Sequence, residues 1–213
     1  MQLFHYHWWT PKVEEMEKVY HDLGFETVQR VGRMNGEMQT FNPPMQWENF
    51  RGKDITFRII EMVKGQTNIT FGHGKRDQFD HIGILLDEEE YAEVVQRAEE
   101  LKWRVSEGER RTFILTPWKF RVELQTRSDV VKDQMQTIIK SIKIHLPFND
   151  HPEQIGTLLN LPTLHNDSEK VIVGNGQWNI EFCTNEQTRL VTASFYKDHF
   201  QFVDPVGTKL IGN

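Results

Sequence analysis

One pattern recurs along this chain of 213 residues: a short apolar strand, an amphipathic helix, then two or three more strands, about three and a half times over. A recurring supersecondary unit restricts the fold more than composition does, because each unit must bury its apolar face against a copy of itself. In the first round "LFHYHWW" (3–9) reads as a strand. Thr10 and Pro11 then suit the N-cap and first position of a helix that stops at Gly24. Strands are expected over 26–33 and 54–64, with a long Asn/Gly/Pro-rich loop over 34–53. "FGHGKRD" (71–77) reads as the linker to the next round.

The second round has a strand over 79–86 and a helix over 87–103. Its strand signals then fall in "RVSEGERR", 112–117 and 119–126. A linker helix is expected over 129–140. The third round follows with a strand at 141–148, a short helix at 150–161 and a hairpin turning at Gly174-Asn175-Gly176. The remainder reads as three strands without a helix, two of them joined at "DPVG". The period is too irregular for a solenoid. The pattern predicts an α+β chain of tandem βαβββ modules: a pair over 1–128, then a third module and a degenerate, helix-less half-module over 129–213.

The net charge is −6 and no basic cluster offsets it, which disfavours nucleic acid as a partner. No run approaches the length of apolar residues that spans a bilayer, and the first residues lack the signature of a signal peptide. The one cysteine, Cys183, excludes an intrachain disulfide and fits a reducing, cytoplasmic setting.

Chemistry-bearing residues recur in step with the modules. The first strand of each full round carries a histidine: His5, His81 and His145. The last strand carries a glutamate between apolar neighbours: Glu61, Glu123 and Glu181. Alternation puts Arg121, Glu123 and Gln125 on one face of their strand and Val122 and Leu124 on the other. A carboxylate amid apolar neighbours costs several kcal/mol, on the order of the penalty for one buried ion, unless a cation compensates it. Two imidazoles and two carboxylates suit Zn²⁺, Mn²⁺, Fe²⁺, Co²⁺ or Ni²⁺ and leave room for water or substrate.

On these residues the chain resembles the vicinal oxygen chelate superfamily, which includes glyoxalase I, bleomycin-resistance proteins, methylmalonyl-CoA epimerase and extradiol dioxygenases. The resemblance is clearest over 79–127, holds over 3–64 apart from the 34–53 loop, and is weak over 141–212. It implies paired modules whose curved mixed sheets enclose a metal cavity. It implies His5, Glu61, His81 and Glu123 as metal ligands, with His7 the rival of His5. Either glutamate would double as a catalytic base. Arg121 would bind a substrate carboxylate or phosphate, or pair with a neighbouring glutamate. Trp118 and Trp8 would wall the pocket.

The reaction so implied is that of a glyoxalase-like lyase, isomerase or epimerase. It would act on a small oxygen-chelating substrate through Lewis-acid stabilisation of an enolate. An Fe²⁺ extradiol dioxygenase is the alternative, disfavoured if Glu61 fills a position that substrate or oxygen needs. A metal-free binding or resistance protein is the other. The modules would pair within a monomer or exchange within a homodimer.

Overall fold

A computed structural model describes residues 1–132, 135–148 and 150–212. Its first half begins with β1 (Gln2–Thr10), α1 (Val13–Asp22), β2 (Glu26–Met34), β3 (Glu37–Thr40), β4 (Ile55–Lys64) and β5 (Thr67–His73). It continues with β6 (Gln78–Leu85), α2 (Glu88–Glu100), β7 (Arg104–Glu107), β8 (Thr112–Leu115) and β9 (Arg121–Gln125). These strands form one nine-stranded sheet in the order β3-β2-β4-β5-β1-β6-β9-β8-β7. The second half contains β10 (Ile138–Leu146), α3 (Gln154–Leu159), β11 (Thr163–Asn166), β12 (Lys170–Gly174) and β13 (Asn179–Thr184). It ends with β14 (Arg189–Tyr196), β15 (Gln201–Val203) and β16 (Lys209–Gly212). Its seven strands run β11-β12-β13-β10-β14-β16-β15. Both sheets are mixed and open, as the α+β, tandem βαβββ expectation requires.

The helices α1 and α2 each bury an apolar stripe against the first sheet. Val13, Met16 and Tyr20 of α1 are buried, as are Val94 and Ala98 of α2. Asp87 caps α2 by accepting from Glu90 N, and the Glu90 carboxylate returns to Asp87 N. Burying large side chains such as Phe57, Phe71 and Phe182 contributes ~1.5–3 kcal/mol each. Phe182 also stacks on Trp118 and packs beside Phe120, joining the two sheets.

Several local expectations are corrected. The strand β1 runs through Thr10, so α1 starts at Val13. Thr10 Oγ1 accepts from Lys12 N and donates to Asp77 rather than capping the helix. The 34–53 stretch contains β3 and a 3-10 turn (Trp47–Phe50) whose Phe50 packs on Phe57. The "linker" at 71–77 is partly β5, the strand that pairs in parallel with β1. No helix fills 129–140 among the described residues: a 3-10 turn (Ser128–Val130) is followed by β10 from Ile138, and 133–134 lie outside them. The expected 150–161 helix is the shorter α3, and 149 also lies outside the described residues. No helix among the described residues is long and apolar enough to cross a membrane.

Candidate metal centre

The centre of the first sheet is the antiparallel pair β1–β6, and its register is symmetric. His7 stands opposite His81 and Gly83 opposite His5; Trp8 stands opposite Phe79 and Ile84 opposite Leu3. Exchanging the strands therefore superposes His5 on His81, not His7 on His81. A bulge in each strand leaves one extra residue, Phe4 in β1 and Asp80 in β6. The bulge overrides simple alternation and turns Phe4 with His5, and Asp80 with His81, to the same side of the sheet. Phe4 stacks on His5 and Asp80 bonds to His81.

The two imidazoles meet there. His5 Nε2 lies 3.0 Å from His81 Nε2, which lies 3.0 Å from Glu123 Oε2. Donor atoms of these three buried residues all fall within 4.8 Å of one another. Gly83 makes the approach possible, since a Cβ there would stand 2.7 Å from His5 Cβ.

The rear nitrogens fix which atoms face inward. His81 Nδ1 donates to Asp80 at 2.7 Å. His5 Nδ1 donates to Asn68 O at 2.9 Å, with Asn68 Oδ1 at 3.1 Å. The Asn68 amide is oriented by its own donations to Glu61 Oε1 at 2.6 Å and to Val130 O at 2.8 Å. Both rings therefore aim Nε2 at the cluster, the nitrogen that would bind a metal once it carries no proton.

Electrostatics agree with that assignment. Burial is the main cause that lowers the His5 pKa to about 4, so the ring is neutral near pH 7. Burial pushes the Glu123 pKa up, but the His81 hydrogen bond and the charges of His5, His81 and Arg111 outweigh it and hold the carboxyl at about 2. Two Nε2 atoms 3.0 Å apart, one of them 3.0 Å from a buried carboxylate, cannot all face one another with bare lone pairs, so either a proton on His81 Nε2 or a metal ion sits among them. Donors about 2.1 Å from one ion and at right angles to each other stand about 3.0 Å apart, so the cluster fits a divalent transition metal.

The structure does not bring Glu61 into the cluster. It stands on β4, where its carboxylate accepts from Asn68 and lines the same cavity. The register identifies the counterpart of Glu123 instead. Glu123 lies opposite Gly83 on β9, and the matching position on β5, opposite His7, is Thr70. Thr70 Oγ1 is 3.3 Å from His5 Nε2 and 2.6 Å from His7 Nδ1. His7 stacks on His81 at 4.9 Å, and its buried Nε2 has no hydrogen-bond partner among the described residues.

Arg121 pairs with Asp80 and lies 4.1 Å over the Phe113 ring, outside the cavity lining. Trp118 is 1 % exposed in the core against Trp103 and Phe120, and Trp8 packs on Phe79; neither reaches the cluster. The cavity holds about 370 Å³. Phe4, Val28 and Ile59 form its apolar wall, and Gln29, Gln125 and Arg111 are among its polar lining.

The second half repeats the frame without the chemistry. Strands β10 and β14 carry the same paired bulges, with Ser141 opposite Ser194 and Lys143 opposite Thr192. That register puts Ser141 and Thr192 where the first half has His5 and His81. Glu181 stands in the place of Thr70 and Ile211 in the place of Glu123. His145, the third histidine of the sequence pattern, lies further along β10 beside Cys183 and Arg189. Glu181 is paired with Lys143 at 2.8 Å.

No protein-family model and no curated protein sequence matches the chain. Solved structures do. The Mn(II)-bound glyoxalase from Novosphingobium aromaticivorans is similar with a TM-score of 0.70 at 11% identity, over 99% of this chain and 81% of that one. The 2,2',3-trihydroxybiphenyl 1,2-dioxygenase from Sphingomonas wittichii is similar at 0.65 and 11%, over 100% and 90%. Homoprotocatechuate 2,3-dioxygenase from Brevibacterium fuscum is similar at 0.67 and 9%, over 100% and 70%. At these identities the likeness establishes the fold.

Proposed function

We propose that this chain, which has the fold of the vicinal oxygen chelate superfamily, is a metal-dependent enzyme acting on a small oxygen-chelating substrate. His5, His81 and Glu123 would hold one divalent cation. The observation that carries this reading is the convergence of two oriented Nε2 atoms and one carboxylate, with Thr70 in the fourth, symmetry-related place. A two-histidine, one-carboxylate face with open positions suits Fe²⁺ and the activation of O₂. Glu61 bonds to Asn68 and so does not take the position that the ring-cleavage alternative requires to be open. Oxidation of an ortho-diphenol-like substrate by O₂ is therefore the favoured reaction.

When bound, the ion supplies Lewis acidity and a meeting point for substrate oxygens. The remaining work falls to the chain. Asn68 and Asp80 hold the ring tautomers. Phe4, Val28 and Ile59 exclude water from one wall. Thr70 Oγ1, 2.6 Å from His7 Nδ1, would accept a hydrogen bond from a substrate hydroxyl and orient it. A second reading, a glyoxalase-like lyase or isomerase, is favoured by the likeness to the Mn(II)-bound glyoxalase.

Anaerobic loading with Fe²⁺, then an oxygen electrode and a panel of ortho-diphenols, tests the first reading. Oxygen uptake that depends on Fe²⁺ and is lost in Glu123→Ala is expected. Failure to bind about one ion per chain overturns both readings. Metal binding without oxygen uptake, together with turnover of a methylglyoxal–thiol adduct on Mn²⁺, selects the second.

A further inference from the structure

The cavity wall has a charge pattern that the three ligands do not explain. Arg110, Arg111 and Arg127 line it together with Glu61, Glu123 and Asp129. These six charges balance as they stand, so adding a divalent ion leaves the cavity with an excess of positive charge. The three guanidiniums are not equally committed. Arg127 is locked to Asp129 through two hydrogen bonds, of 3.0 and 2.7 Å. Arg110 makes no ion pair or hydrogen bond among the described residues and is exposed. Arg111 reaches Glu123 Oε2 through one long contact of 3.3 Å and otherwise leans over Phe113. A cation on Glu123 would draw that carboxylate's charge to itself and free the Arg111 fork for another acceptor.

We infer that the substrate carries an anionic group, a carboxylate or phosphate, besides the oxygens that meet the metal, and that Arg111, with Arg110 beside it, receives that group. This rests on the metal reading above. It moves the anion-binding role expected of Arg121 to the β7–β8 connection, because Arg121 is already paired with Asp80. A guanidinium presents two parallel donors matched to such an anion. The cavity, at about 370 Å³, is near the small end of the range for ligand pockets and admits one compact molecule of this kind.

Hydroxamates test this without turnover, because they chelate through neighbouring oxygens. The full chain is loaded with Co²⁺ and its visible absorption is titrated with acetohydroxamate, succinohydroxamate and phosphonoacetohydroxamate. At least one of the two anionic probes should bind about tenfold more tightly than the neutral one, the scale of a charge-assisted hydrogen bond. The tighter of the two names the anion. Arg111→Gln should remove that advantage and leave acetohydroxamate affinity and Co²⁺ stoichiometry unchanged, while Arg111→Lys should retain part of it. Equal affinity for all three probes in the wild type overturns the inference, as does an advantage that survives Arg111→Gln and Arg110→Gln combined. Absence of Co²⁺ binding overturns the metal reading and this inference with it, whereas Co²⁺ binding without preference overturns this inference alone.

Discussion

Replacing Gly83 with alanine asks whether the approach of β6 to β1 is what seats His5. A methyl group at this position would lie 2.7 Å from His5 Cβ, 2.9 Å from Phe4 Cε1 and 3.0 Å from His5 Cδ2. Ordinary contact begins near 3.4 Å, so the first of these pairs must separate by roughly 0.7 Å. The atom in the way is a Cβ fixed to the backbone of a central strand, so rotating a side chain does not relieve it. Overpacking of this kind costs about 1–3 kcal/mol. For a chain of this length each kcal/mol moves the midpoint by about 2–4 °C, which predicts a loss of about 2–12 °C. The same displacement exceeds the ±0.2 Å tolerance of a metal–ligand distance by several-fold, so metal affinity should fall with stability.

Thermal melts with and without metal, with calorimetric metal titration, read both effects. Because two of the three clashes are with His5, Gly83→Ala should cost less in a His5→Gly background, where only the Phe4 ring contact remains, giving a coupling on the order of 1 kcal/mol between the two sites. If Gly83→Ala leaves the midpoint and the metal affinity of the otherwise native chain unchanged, the account of why His5 faces His81 is wrong.

Two further outcomes separate ligands from supports and locate the titrating groups. Glu123→Gln removes the carboxylate of the cluster and should lower metal affinity by a thousandfold or more, on the order of ~4 kcal/mol. Glu61→Gln perturbs only the orientation of Asn68, so its loss should stay within about 10–100-fold; equal losses in the two variants would refute the assignment. The pH dependence has opposing parts. The His5 pKa is lowered from 6.5 to about 4, so its contribution to stability is present above pH 6.5 and is lost as the pH falls from there toward 4. The Asp204 pKa is raised from 3.8 to about 6, chiefly by burial, so its contribution is present below pH 3.8 and lost as the pH rises through 6. Asp204→Asn removes the opposing part, and its melting midpoint should fall more steeply than the wild type between pH 6 and pH 4; parallel profiles would contradict this.

Much of the architecture was legible because hydrophobic period and turn chemistry are local properties. The alternation of Arg121, Glu123 and Gln125 against Val122 and Leu124 identified the cavity face of β9; the structure keeps Glu123 and Gln125 in the cavity lining and turns Arg121 to Asp80. The strand β5 was not legible. In "TNITFGH" Asn68 and Thr70 alternate with Ile69 and Phe71, but the run is short and its end reads as part of a glycine-rich connector. Missing it left Glu61, one strand further out, as the nearest apparent counterpart of Glu123.

His5, His81 and Glu123 stand in the sequence as recurrent residues on strands, but recurrence marks His145, Glu61 and Glu181 equally. Which donors share a point depends on register between strands far apart in the chain. The paired bulges at Phe4 and Asp80 decided that register, made His5 rather than His7 the partner of His81, and put Thr70 where a second carboxylate was expected. A bulge follows from how two strands pair, not from the residues of either strand alone, so only the assembled sheet contains that information.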